Sequence, residues 1–119
     1  MAVEVRGEVV GIELELHSGR PVRKKSARDT LLRSSYEYGE GLALALSGLD
    51  LHNSGVLGRV DPYRDTVINE QEAEVARREV AVLIENAATE HQRSALLDLA
   101  AMLEACAATP GSYLWFIGD

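Results

Sequence analysis

The amino-acid sequence predicts an α+β fold: a small, mostly antiparallel sheet that includes the N- and C-terminal strands, covered by a C-terminal αα-hairpin. Three observations predict it. Hydrophobic side chains alternate in period two at Val10, Ile12, Leu14 and Leu16, the signature of a half-buried strand. Apolar residues recur at spacings of three and four in two successive stretches between Ala76 and Ala107, as amphipathic helices require. The sequence closes on SYLWFIGD, whose aromatic and branched residues favour a buried strand, most simply one inserted beside the first.

Taken in order, Val3 and Val5 alternate in the opposite phase to the Val10 run, and Gly7 lies between them. A bulge or hairpin turn at Arg6-Gly7-Glu8 would reset the phase. In the main run Glu13 and Glu15 fall on the face opposite the leucines. Ser18 to Arg28 reads as loop. The next stretch, Ala27 to Asp50, supports two readings. SARDTLLRS opens a short helix with Ser26 as N-cap and Asp29 three residues on. EYGEGLALALSGLD alternates Leu42, Leu44 and Leu46 with alanine, a strand by period and a helix by propensity; a helix ended by Gly48 is the expectation.

LDLHNSG is loop, and Val56 to Val60 reads as a short strand leaving the Ser54-Gly55 turn. Pro62 forbids helix at Asp61 and begins a turn, after which Thr66, Val67 and Ile68 pair back, making a hairpin with PYRD at its tip. Asn69 with Glu72 forms a capping box at the start of a helix whose stripe is Ala76, Val80, Leu83, Ile84 and Ala87. Thr89 and Gln92 cap a second helix with Leu96, Ala100, Leu103 and Ala107 on one side, terminated by Pro110-Gly111. So short a connection predicts an antiparallel pair.

Length and composition narrow the function classes. A chain of 119 residues, 46% hydrophobic and 26% charged, is one globular domain, folding alone or as a homodimer. No apolar run approaches the roughly 20 residues of a bilayer span, and the charged alternation after Met1 is no signal peptide. The expected compartment is the cytoplasm, with no membrane partner. The single cysteine, Cys106, is expected in the core. A net charge of −7 argues against nucleic acid as a partner, since that binding neutralises phosphates with cations. Arg20, Arg23, Lys24, Lys25 and Arg28 nevertheless form a basic strip without an acid in it, so the remainder of the chain is more acidic still. Such a run is ordinarily a solvated loop and alternatively a docking strip for phosphate or an acidic partner.

Motifs of chemistry are few. Asp61, Asp65, Asn69 and Glu72 fall where an EF-hand places oxygen ligands. Tyr63 and Thr66 stand where a carboxylate and a glycine belong, and no entering helix precedes them. A turn followed by a helix cap accounts for the same residues. His17, His52 and His91 show no zinc spacing and read as surface residues. Gly39 and Gly41 lack the third glycine of a dinucleotide loop, and Tyr36, Tyr38, Asp50 and His52 share only proximity in sequence. No catalytic residue, metal ligand or cofactor is therefore assigned, and the sequence leans away from an enzyme.

DPYRDTVIN after a short strand, a capped helix pair and a closing LWFIGD together resemble small uncharacterised bacterial proteins, some of them similar to immunity proteins of polymorphic toxin systems. The resemblance covers the C-terminal half and leaves the basic strip outside it. It implies a protein that binds and neutralises a partner toxin, and it carries over no catalytic residues. Acids at Glu70, Glu72, Glu74, Glu79 and Glu85 would complement a basic partner and steer its association. The expectation is thus a non-enzymatic, acidic protein-binding module whose contact surface is Asp61, Tyr63, Arg64 and Asp65 with Glu70 and Glu74. The alternative is a small-ligand or metal-binding protein using the chemistry of Asp50 to Asn69, or an enzyme without a visible motif.

Overall fold

Leu14 and Leu16 alternate with Glu13, Glu15 and His17, and this alternation is realised as β1 (Glu13–His17) in a computed structural model that describes residues 11–19, 30–47, 49 and 55–118. β2 (Leu31–Ser35) pairs antiparallel with one side of β1, with a register shift between Leu16 and His17. β4 (Tyr113–Ile117) pairs antiparallel with its other side, setting Leu14 opposite Phe116 and Leu16 opposite Leu114. β3 (Thr66–Asn69) pairs with the outer side of β4, so the sheet order is β2-β1-β4-β3. The closing aromatic run is accordingly central, as its lack of charged residues before Asp119 requires.

Successive residues of a strand point to opposite faces. One face presents Leu14, Leu16, Ile68, Leu114 and Phe116, none more than 3% exposed, to the helices. Those helices are α2 (Glu70–Glu85) and α3 (Glu90–Ala108), the predicted αα-hairpin. Ala73, Ala76 and Ala95 are buried, and side chains this small let the helices approach closely. Leu96, Leu99, Met102, Leu103 and Cys106 fill the space between α3 and the sheet. Burial of each large side chain contributes about 1.5–3 kcal/mol.

Both helix starts follow from the sequence. Asn69 Oδ1 accepts from the Glu72 amide at 2.8 Å while Glu72 Oε1 accepts from the Asn69 amide at 2.9 Å, a complete capping box. Thr89 Oγ1 accepts from the Gln92 amide at 3.1 Å. Arg93 reaches back to the Ile84 carbonyl at 3.1 Å and satisfies one acceptor at the end of α2.

Several expectations are corrected. Val56 to Val60 is not a strand. Leu57–Arg59 is a turn of 3-10 helix, so no hairpin forms around PYRD and β3 finds its partner in β4 instead. The physical reason is Glu79, which lies not on the outer face of α2 but with its carboxylate accepting from the amides of Val56 at 3.0 Å and Leu57 at 2.9 Å. Those amides need no strand partner. Nor do residues 31–35 continue a helix; two leucines and the open side of β1 make them the sheet edge β2. Leucine-alanine alternation at 42–46 gives way to helix propensity in α1 (Gly39–Leu46), which packs on α3 and closes at Ser47. The alternation of Val3 and Val5, the Arg6-Gly7-Glu8 bulge, the Ser26 cap, the Arg20–Arg28 strip, Gly48, Asp50 and His52 lie outside the described residues.

Candidate functional site

Asp61 fixes the turn that precedes β3. Its Oδ1 accepts from the Tyr63 amide at 2.9 Å, and its carbonyl accepts from the Arg64 amide at 3.1 Å. Asp65 Oδ1 then accepts from the Gly118 amide at 3.2 Å. Gly118 sits so close to the turn that a Cβ there would lie 2.5 Å from the Arg64 carbonyl oxygen and 2.7 Å from that of Pro62. Only glycine permits this approach. The 61–65 turn and Gly118 thus meet in space, and the turn is bolted to the end of β4.

This rigid turn presents Tyr63, 66% exposed, and Arg64 to solvent. The Arg64–Asp61 ion pair is long, 3.9 Å, and exposed, so it contributes little and leaves the guanidinium available. Behind Tyr63 opens an apolar pocket of about 290 Å³ whose walls include Ile12, Leu46, Leu49, Val60 and Pro62. A second pocket of about 440 Å³ is lined by Glu13, Tyr36, Glu37 and Glu40 with Gly11, Gly39 and Gly118. No described cation pairs with Glu13, Glu37 or Glu40.

The acids expected on α2 are placed differently. Glu70 is directed to the α3–β4 turn, where it accepts from the Gly111 amide at 2.5 Å. It stands beyond the opposite end of β3 from Asp65, five residues or about 16 Å away. Glu74 is exposed on α2 and pairs with Arg77 at 3.0 Å. Glu72 serves the cap and meets Arg59 at 2.8 Å. The structure therefore groups Asp61, Tyr63, Arg64 and Asp65 and sets Glu70 and Glu74 apart from them.

The EF-hand spacing does not become a metal loop. Asp61 and Asp65 are turned to backbone amides, Asn69 and Glu72 to each other, and β3 runs through the middle of the segment. Among the described residues no group of three or more His, Cys, Asp or Glu side chains is arranged to hold a metal ion. No described helix is long and apolar enough to cross a membrane.

A second polar cluster lies on the sheet face away from the helices. His17, expected at the surface, is fully buried there. Its Nε2 is 2.9 Å from Glu15 Oε1 and its Nδ1 is 2.7 Å from Thr30 Oγ1. With Nε2–H donated to the carboxylate, Nδ1 accepts the threonine hydroxyl. Tyr36 donates to Glu15 Oε2 at 2.6 Å, and that hydrogen bond, with some burial, raises the phenol above its ordinary value. The ring edge of His17 also meets Trp115 at 5.5 Å between centroids. Threonine, histidine and glutamate stand in the order of a hydrolytic triad. A histidine with no exposed surface and both nitrogens bonded presents no face to a substrate, and the arrangement acts as a rivet of the sheet.

Sequence reasoning missed the acidic pocket because its walls come from residues 13, 36–40 and 118, far apart along the chain. The one available signal was the pair of carboxylates, Glu37 and Glu40, flanking Gly39. No family model matches the chain, and no curated protein and no solved structure matches it significantly.

Proposed function

We propose that the chain is a non-enzymatic protein-binding module that captures a basic partner, as the immunity-like members of the small bacterial proteins it resembles would. The contact surface is the end of the molecule that carries the 61–65 turn. One observation carries the reading: Tyr63 is an exposed aromatic on a turn held by the Asp61 side chain, Asp65 and the backbone of Gly118. A turn whose backbone is held before binding loses little backbone entropy when a partner covers it. Tyrosine and arginine, adjacent here as Tyr63 and Arg64, are also the residue types that most often dominate interface energies. The net charge of −7 and the exposed acids Glu13, Glu37 and Glu40, with no described cation against them, support a basic partner.

The test is a pull-down from lysate of the source organism, comparing the wild-type chain with a Tyr63→Ala/Arg64→Ala variant at moderate and high salt. A stoichiometric basic protein held by the wild type, lost with the double variant and weakened by salt is the expected result. A partner retained equally by both chains would refute the turn as contact surface, and no retained partner would refute the binding reading.

A further inference from the structure

Resting on that reading, we infer that the partner is recognised through an extended segment carrying a cation close to an apolar side chain, laid along α1. Residues of α1 line both pockets. Glu40 borders the acidic one, while Ala43, Leu46 and Ser47 border the apolar one, and these residues recur along one side of α1 at helical spacing. Six residues of helix separate Glu40 from Leu46, so the two halves lie about 9 Å apart along the helix axis. An extended chain advances about 3.3 Å per residue and alternates its side chains between two faces, so a cation and an apolar side chain two or four residues apart, on the same face, would reach both halves together.

Charge and shape commit the occupant. Glu13, Glu37 and Glu40 are exposed carboxylates with no described cation against them, and the Tyr36 hydroxyl beside them is already donated to Glu15. An arginine or lysine entering there gains several carboxylates without displacing an existing partner. The other half is walled by Leu46, Val60, Pro62 and the ring of Tyr63, and it takes a leucine-sized or aromatic side chain. A wholly basic segment would leave the apolar half empty; a wholly apolar one would leave the acids unneutralised. Nucleic acid brings the wrong charge.

The test uses a random-peptide library displayed on phage, panned against the full-length chain. Enriched peptides are expected to pair arginine or lysine with an apolar residue two or four positions away. Binding of the best synthetic peptide, read by fluorescence polarisation, should weaken about tenfold or more in Glu37→Gln/Glu40→Gln and in Tyr63→Ala, the loss typical of an anchor residue. It should fall further with added salt. Glu74→Gln, on a different face, should leave it unchanged. All of these positions are exposed, and equal melting temperatures would show that the variants fold. Failure to enrich, enrichment of sequences lacking a cation, or affinity indifferent to both variants would overturn the groove. If no peptide is enriched while a lysate partner still depends on Tyr63 and Arg64, the groove is wrong and the binding module stands.

Discussion

Replacing Glu79 with alanine tests how the site is held in place. Its carboxylate accepts from the Val56 and Leu57 amides, at 3.0 and 2.9 Å, and so replaces the intrahelical partners that the start of a 3-10 turn lacks. Leu57 is 1% exposed, so its amide has no solvent to turn to once the carboxylate is gone. A hydrogen bond to a charged group contributes about 1.5–3 kcal/mol, and the Val56 side of the pair is open enough for water to replace part of that. The expected loss is about 2–3 kcal/mol for Glu79→Ala, and roughly half of it for Glu79→Gln, which keeps one acceptor oxygen. For a chain of this size that lowers the melting temperature by about 8–12 °C. Gly55→Ala should act in the same direction, because Gly55 has φ +61° and the Glu79 carboxylate occupies the space a Cβ would take. Urea and thermal unfolding measure the stability, and amide hydrogen exchange at residues 57–60 reports whether the turn loosens. Since Val60, Pro62 and Tyr63 continue from it, the apolar pocket should loosen with it. A Glu79→Ala variant within about 0.5 kcal/mol of wild type would refute the cap.

Other consequences follow from the same geometry. Asn69→Ala removes the acceptor for the Glu72 amide and should cost about 1 kcal/mol; an unchanged melting temperature would mean that the capping box does not hold α2. Tyr36 donates to Glu15, so its phenol is raised above its ordinary value, and the stability this bond provides is complete below that ordinary value, about pH 10, and lost as pH rises through the raised one. The stability difference between wild type and Tyr36→Phe should therefore be constant near neutral pH and shrink in strongly alkaline solution, and a difference that persists there would contradict the assignment. Cys106 is fully buried and its thiol is raised mainly by that burial, so thiol reagents should modify it only as fast as the protein unfolds. Rapid modification of the native protein would place the residue outside the core.

What could be read from the sequence was what local pattern determines. The period-two leucines of β1, the Asn69 and Thr89 caps, the αα-hairpin and the insertion of the last strand beside the first all rest on residues near one another or on burial that a strongly apolar run demands. What could not be read depended on distant partners. Nothing within Val56 to Val60 indicates that a glutamate more than twenty residues later will cap it. Nothing in LLRSS indicates that the side of β1 is open. Glu13, Glu15 and His17 share one phase, so period alone puts the histidine in solvent; only the pairing of Glu15 and Thr30 with its two nitrogens, and Trp115 against its ring, explain its burial. The candidate site divides in the same way. The turn at Asp61 is local and legible, whereas the two pockets along α1 require β1, α1 and Gly118 to be brought together.

Amide chemical-shift mapping of the isotope-labelled chain, titrated with the partner retained in the pull-down, tests the central claim most directly. The account predicts that the perturbed amides gather at residues 61–64, at Gly118 and along Gly39–Leu46. Perturbations confined to the outer side of α2 around Glu74 and Glu85, with Tyr63 and Arg64 unmoved, would contradict it.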